Sequence, residues 1–213
     1  GLDYVAGGWL VHGNPNEIFY FERGGAFTCD GVSLSGATSV TNPVVFVRLG
    51  KVWPDTSGRR LSFHVDGSAG GVGQPGGNFR LLQMDKFCRY GRVYMELFGS
   101  IGPRSYATPI VVARGACMIV LRGVNNLLPD AIQMLGTSYS GSKVVANVHL
   151  EGCSLRGAYP ADLVHASSAG PWRLSWSNCC YAPEANGDTS DYGRPLANGA
   201  MESVDVSPGL ISV

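Results

Sequence analysis

Charged residues are scarce in this chain. Only 15% of its 213 residues are charged, against roughly 25% in typical soluble domains. The charges balance at a formal net charge of zero, so no general positive excess is available to hold the phosphates of DNA or RNA. Nucleic-acid binding is therefore disfavoured. The best apolar stretch, 108–124, is broken by Arg114 and Arg122, and the sequence predicts no transmembrane segment.

Lysine is the scarcest charged residue, with only Lys51, Lys86 and Lys143 among the 16 positive side chains. Lysine is depleted at protein interfaces because its hydrated ammonium group resists desolvation, whereas arginine tolerates burial. The composition therefore predicts a homo-oligomer whose surface is partly covered by its own copies. A GC-rich genome, which favours arginine codons, is the alternative explanation. The chain also begins without Met and without a leader-like segment, as expected of an excised domain or a processed product.

The common metal-binding and redox motifs are absent as well. The four histidines stand alone without the spacing of a zinc site, and the six cysteines form no Cys-x-x-Cys pair. The sequence therefore predicts no metal, no cofactor and no catalytic residues. Cys117 lies in an apolar run, where a buried free thiol is expected. Free thiols are favoured for most of the other cysteines, with three disulfides in a secreted protein as the alternative.

What the sequence does contain is a series of short alternating segments separated by Gly, Pro, Asn and Ser. Each has the two-residue period and the β-branched content of a strand, and no long helical pattern accompanies them. No fixed-period repeat is present, which disfavours β-helices and propellers. We therefore expect an all-β protein folded as an antiparallel β-sandwich or jelly roll. The predicted strands are 44–52, 60–65, 79–84, 92–98, 109–113, 116–122, 131–136 and 143–150.

The pattern divides the chain into three regions. Residues 1–40 read as an irregular N-terminal lead-in that connects to a fibre, 41–157 as the β-sandwich knob, and 158–213 as a loop-rich aromatic appendage. Alternation weakens in the last region, which is rich in aromatics, Ser, Asn, Gly and Asp. Loops on a rigid scaffold commonly carry binding residues. The appendage is therefore where we expect a ligand site.

Aromatic rings and short polar side chains occur together in this appendage. Sugar recognition uses an aromatic ring against the C–H face of the sugar and Asp or Asn oxygens for its hydroxyls. Trp172 and Trp176 are four residues apart, which puts them on one face of a strand or a helix. Packing in the core or at a subunit interface is the alternative role for these rings. The candidate ligand-binding residues are Trp172, Trp176, Asn178, Tyr181, Asn186, Asp188, Asp191 and Tyr192.

One part of the chain resembles a known family. A strand ending in Arg48-Leu49-Gly50, the segment Gly58-Arg59-Arg60-Leu61 and the glycine-rich loop after it resemble the C-terminal knob domains of bacteriophage tail fibres. The resemblance covers residues 42–155. It implies a homotrimer whose tip loops bind a bacterial surface glycan, protein or other outer-membrane component, without catalysis in the knob. It also implies location at a virion or extracellular fibre tip, after assembly in a bacterial cytoplasm.

The function predicted from the sequence is thus the receptor-binding adhesin tip of a trimeric fibre, with avidity supplied by several copies. Two alternatives stay open. A polysaccharide-degrading enzyme would require a pair of carboxylates, for which Glu151, Glu184, Asp188 and Asp191 are available. A structural shell or decoration protein built on a jelly roll would use the aromatics to seal contacts between subunits.

Overall fold

The computed structural model describes ten segments of the chain, and all of them consist of strands, turns and connections without a helix. The all-β prediction is confirmed. No helix in these segments could cross a membrane. The described residues are 3–12, 17–21, 26–35, 44–50, 60–66, 79–85, 88–98, 109–139, 142–182 and 193–203.

The strands of the described segments are short and follow one another closely along the chain. They are β1 (Asp3–His12), β2 (Glu17–Phe21), β3 (Ala26–Ser35), β4 (Val44–Leu49), β5 (Arg60–Asp66), β6 (Phe79–Met84), β7 (Cys88–Phe98), β8 (Val111–Arg122), β9 (Ile132–Leu135), β10 (Thr137–Tyr139), β11 (Ser142–Val144), β12 (Ala146–Glu151), β13 (Ser154–Leu155), β14 (Trp172–Ser177), β15 (Cys180–Tyr181) and β16 (Gly199–Ser203).

The strands pair almost entirely in parallel, because each turn of the chain stacks on the previous one. The main sheet has the order β1-β3-β5-β7-β8-β12-β14-β16, and a second sheet joins β2, β4, β6, the start of β8 and β9. A third face is formed by β13 and β15, which pair in parallel, and by a parallel bridge from Leu127 to Leu155. The architecture is a parallel β-solenoid of about three turns.

The prediction of an antiparallel β-sandwich or jelly roll is therefore wrong. Alternation shows that a segment is a strand, but strands of a sandwich and of a solenoid have the same two-residue period. The repeat escaped detection because the turns differ in length. In the main sheet Asp3 pairs with Ala26, 23 residues further on, whereas Ala26 pairs with Ser62, 36 residues further on. A solenoid with unequal turns has no fixed sequence period.

Strand β8 passes from the second sheet to the main sheet. Its first residues pair with β6 and β9, while the residues from Cys117 onward pair with β7 and β12. Gly115 lies between the two parts with a φ of 68°, a left-handed conformation that glycine adopts without steric cost. The two strands predicted at 109–113 and 116–122 are thus one strand bent at this glycine.

The core lies inside the solenoid, where buried side chains of successive turns stack on one another. Register places Met95 beside Ile119, Ile119 beside Val148 and Val148 beside Leu174, and all four side chains are at most 1% exposed. Full burial of one such side chain stabilises the fold by about 1.5–3 kcal/mol. The alternate positions of β12 and β14 around Val148 and Leu174 are polar, whereas those of β8 beside Ile119 are Met118 and Val120. These side chains lie on the outer face of the main sheet.

The corner after the main-sheet strands is the same in three successive turns. Gly123, Gly152 and Asn178 follow β8, β12 and β14, with φ values of 59°, 59° and 54°. The backbone amides of the first two donate to the next turn, from Gly123 to Glu151 O at 2.9 Å and from Gly152 to Ser177 O at 3.0 Å. Glycine and asparagine are the residues that tolerate this left-handed conformation.

The last described segment, 193–203, covers the final turn of the solenoid. Strand β16 pairs with β14 in the antiparallel direction, so it returns along the edge of the main sheet. The backbone of Leu196 donates to Cys179 O at 2.8 Å, and Tyr181 donates to Arg194 O at 3.1 Å. An antiparallel closing strand satisfies backbone groups of β14 that would otherwise be an unpaired edge.

Candidate functional site

The outer side of the main sheet carries a group of polar side chains from several strands. In β12 the buried residues Ala146, Val148 and Leu150 alternate with half-buried polar ones, and β14 continues the pattern around buried Leu174. Parallel strands about 4.8 Å apart bring these outward positions into rows across the turns. We call this surface the polar face. Its polar residues are Tyr94, Glu96, Arg122, Asn147, His149, Glu151, Arg173, Ser175 and Ser177. Met118 and Val120 occupy the same side of β8, so two of the rows contain an apolar side chain at that strand.

Arg122 joins two carboxylates on the polar face. Its Nε lies 2.6 Å from Glu151 Oε2, and its Nη2 lies 3.5 Å from Glu96 Oε1. Desolvation lowers the pKa of Arg122, but the charges of Glu96 and Glu151 outweigh it and raise the pKa above its ordinary value. The Tyr94 hydroxyl donates to the Glu96 carboxylate, and Glu96 is only 7% exposed. The ion pairs and this hydrogen bond thus hold a nearly buried carboxylate in place.

His149 is held between two serine hydroxyls of the neighbouring strand. Its Nδ1 lies 2.8 Å from Ser175 Oγ, and its Nε2 lies 3.2 Å from Ser177 Oγ. Register explains the first contact, because His149 and Ser175 are direct partners in the β12–β14 pair. Each ring nitrogen can form a hydrogen bond, so both nitrogens of His149 have a hydroxyl partner. The arrangement fixes the ring orientation and leaves half-buried hydroxyls on the surface.

The next row of the polar face has an amide beside a guanidinium. Asn147 and Arg173 are register partners, and the Asn147 amide nitrogen donates to the backbone oxygens of Cys117 and Val145, both at 3.3 Å. Arg173 is exposed and forms no ion pair with any residue that the structure describes. A fixed amide next to an exposed guanidinium can contact the oxygen atoms of a ligand lying on the sheet.

The two predicted tryptophans lie on the opposite side of β14, in phase with buried Leu174, and pack against the core. The indole nitrogen of Trp176 donates to Ala197 O at 2.8 Å. A Cβ added at Gly199 would meet the Trp176 ring at 2.6 Å, so the closing strand lies directly on that ring. The contacts of Trp172 and Trp176 thus agree with the packing role considered for them. Their role in ligand binding stays a prediction.

Other predicted residues lie at the far side of the final turn. The backbone nitrogen of Asn178 donates to Asn198 Oδ1 at 2.9 Å. Tyr181 contacts Tyr159 edge-on, with ring centroids 6.0 Å apart, and the Arg194 guanidinium lies 4.8 Å from the Tyr181 ring centroid. Tyr159 is 62% exposed. We call Tyr159, Tyr181 and Arg194 the aromatic corner.

Four predicted residues, Asn186, Asp188, Asp191 and Tyr192, lie outside the described residues, as do the carboxylates of Glu184, Asp188 and Asp191 considered for catalysis. Of that second set, Glu151 is described, and it belongs to the polar face. Within the described segments, no three His, Cys, Asp or Glu side chains group as metal ligands would.

Sequence reasoning missed most of the polar face, although a signal for it exists. The signal is a four-residue pattern at the ends of β8, β12 and β14. Its positions hold, in order, an apolar residue, a polar residue, a residue with positive φ and a small apolar residue. The three segments with this pattern are Leu121-Arg122-Gly123-Val124, Leu150-Glu151-Gly152-Cys153 and Trp176-Ser177-Asn178-Cys179. When the three segments are aligned, the residues of β8, β12 and β14 that point out of the main sheet fall at matching positions. The alignment therefore predicts which of them lie side by side.

Comparison with known proteins adds no assignment. No family model matches the chain, and neither a curated protein nor a solved structure is significantly similar to it. The functional argument therefore depends on the fold and on the geometry of its surfaces.

Proposed function

We propose that this protein is a receptor-binding module that recognises a bacterial cell-surface glycan through the polar face, without cleaving it. The observation that carries the proposal is the arrangement of hydroxyl, amide, imidazole, carboxylate and guanidinium groups in three rows across β12 and β14, one of which continues to Arg122 of β8. A polysaccharide is itself a repeating polymer, so it can present equivalent hydroxyl groups to successive turns. Short polar side chains held by a rigid scaffold bind such groups with little loss of conformational entropy.

The charge arrangement favours binding over hydrolysis. Glycoside hydrolysis by two carboxyl groups requires one of them to donate a proton. Glu96 and Glu151 both contact the Arg122 guanidinium, so the oxygens of both side chains already serve as acceptors. The pair can accept hydrogen bonds from sugar hydroxyls, which is the role that recognition requires. A polysaccharide-degrading enzyme is the alternative, because Arg122 holds two carboxyl groups near each other and a glycoside hydrolase requires such a pair.

Trimeric assembly at a fibre tip belongs to the same proposal. The scarcity of lysine supports a surface partly covered by sister chains, and several weak sites on one particle would bind a cell surface with high avidity. The solution mass of the chain, measured by light scattering, tests this part. A trimer is expected, and a monomer at high concentration would contradict it.

A glycan array tests the binding surface. Arg173 is exposed on the polar face, so Arg173→Ala removes a charged donor without disturbing the core. Loss of one charge-assisted hydrogen bond costs about 1.5–3 kcal/mol, which corresponds to about 10- to 100-fold weaker binding. Lys143→Ala is the matched control, since Lys143 is an exposed cation on the separate β10–β11 hairpin.

Three outcomes would redirect the proposal. Equal binding by wild type and Arg173→Ala would remove the polar face as the site. Loss of binding only in Tyr159→Ala would move the site to the aromatic corner. Release of reducing sugar from a bound polysaccharide, abolished by Glu151→Gln, would replace the binding function with the enzymatic alternative.

A further inference from the structure

Two cysteines occupy equivalent positions in successive turns of the solenoid. Cys153 lies between β12 and β13, and Cys179 lies between β14 and β15. Their flanking residues are register partners, Glu151 with Ser177 and Ser154 with Cys180. The Cys180 backbone nitrogen also donates to Cys153 O at 3.0 Å. Neighbouring strands are about 4.8 Å apart, so the separation of these two backbones falls within the range of about 4.4–6.8 Å that a disulfide spans.

Both thiols are enclosed by the end of the solenoid. Cys153 is 0% exposed and Cys179 is 2% exposed, and both are free thiols. Cys153 Sγ lies 3.1 Å from Leu121 O, and Cys179 Sγ lies 3.4 Å from Ser177 O. The position of the preceding turn is occupied by Val124, so the stack of thiols is confined to the last two turns.

We propose that Cys153 and Cys179 form a dithiol that closes into a disulfide between the last two turns when the chain meets a small disulfide oxidant. Such an oxidant is a low-molecular-weight disulfide of the glutathione type. The Cys179 thiolate attacks one sulfur of the oxidant and releases one thiolate. Cys153 gives up its proton, attacks the Cys179 sulfur and releases the second thiolate. Two protein S–H groups become one S–S bond, and the oxidant is reduced to two thiols.

The electrostatics of the pair suit this order of attack. The neighbouring Cys153 thiol lowers the pKa of Cys179 to about 7, although burial opposes the charge. The Cys179 thiol, together with burial, raises the pKa of Cys153 well above its ordinary value. Since the thiolate is the nucleophile in exchange reactions, Cys179 is the attacking residue and Cys153 the resolving one.

Access to Cys179 depends on the segment 193–203, which contains the closing strand β16. The Leu196 backbone donates to Cys179 O, and 193–203 covers the last turn, so exchange requires this segment to open locally. Most residues of 193–203 are exposed, and elements with few buried contacts open more readily than the centre of a fold. The resulting disulfide would tie the last turn to the one before it, and it would do so only after the chain leaves a reducing compartment.

The experiment treats the reduced full chain with glutathione disulfide under native conditions and maps cross-linked peptides by mass spectrometry. A Cys153–Cys179 cross-link is expected, with a Tm that rises by about 5 °C or more and returns to its initial value with dithiothreitol. Cys117→Ser is the matched control, because Cys117 is a buried thiol of the same solenoid and its loss should leave the cross-link intact. Cys153→Ser should abolish it.

Other peptide maps would overturn the proposal. A Cys179–Cys180 cross-link, a stable glutathione adduct on Cys179, or the absence of any cross-link would each do so. These results come from the wild-type chain, so the test does not depend on whether a cysteine variant folds.

Discussion

A methyl group added at Gly136 tests the stacking of the turns directly. Gly136 follows β9, and Pro171 immediately precedes β14, one turn later. A Cβ at Gly136 would lie 1.8 Å from Pro171 O and 2.6 Å from Pro171 C. These are backbone atoms, so the clash can be relieved only by moving one turn away from the other. The Gly136 backbone also donates to Ala169 O at 2.9 Å, and that movement would break this bond.

The expected cost of Gly136→Ala follows from this geometry. Overpacking a close contact costs about 1–3 kcal/mol and occasionally more, and a backbone obstacle belongs at the upper end, at about 3 kcal/mol. For a chain of this length each kcal/mol lowers Tm by about 2–4 °C, so a fall of about 6–12 °C is expected. Urea unfolding followed by circular dichroism gives the free energy of unfolding.

Gly152→Ala is the matched control. Gly152 has a φ of 59°, and nothing lies within 4 Å of an added Cβ, so the variant experiences only the left-handed backbone strain of about 1–2 kcal/mol. If Gly136→Ala destabilised the protein no more than Gly152→Ala, the turns containing Gly136 and Pro171 would not stack as described, and the solenoid register would be wrong.

Two further predictions concern the final turn. Trp176→Ala should lower the free energy of unfolding by about 3 kcal/mol because the ring packs under the closing strand. Trp176→Phe keeps a ring and loses only the hydrogen bond to Ala197, so it should lower the free energy of unfolding by about 1 kcal/mol. Equal losses for the two variants in urea unfolding would contradict this packing. In reducing buffer the free energy of unfolding should rise between pH 7 and pH 9. The pKa of Cys179 is about 7 in the folded chain and 9.0 in the unfolded chain. The unfolded state therefore binds more protons over that interval, and stability rises with pH. Cys179→Ser should remove this rise, and an unchanged slope in that variant would refute the assignment.

Strand content was readable from the sequence because it depends on local alternation. The predicted strand 79–84 coincides with β6 (Phe79–Met84), and the predicted break between 113 and 116 marks the bend of β8 at Gly115. Residues 1–40, interpreted as an irregular lead-in, contain strands β1, β2 and β3. A Gly-Gly pair, Gly7-Gly8, interrupts the alternation of β1, whereas β2 and β3 contain no such pair.

The candidate site was only partly readable. Glu151 was recognised as a carboxylate available for chemistry, but its ion-pair partner Arg122, and Glu96 on the other side of Arg122, come from other turns, 29 and 55 positions away along the chain. His149 and Ser175 meet for the same reason. No local pattern links such residues; only the stacking of turns does. The aromatic residues Trp172 and Trp176 were recognised as a pair on one face, and the structure shows that this face is directed toward the core.

The amino-acid order alone established that the chain is all-β, because a two-residue period imposes an extended backbone with two distinct faces. It could not establish which strands become neighbours. Parallel and antiparallel pairs satisfy the same backbone groups and bury the same alternate side chains, and turns of unequal length erased the period that would have distinguished them. Tertiary structure made that choice, and with it decided which polar side chains come together on one surface and which two thiols lie on neighbouring turns.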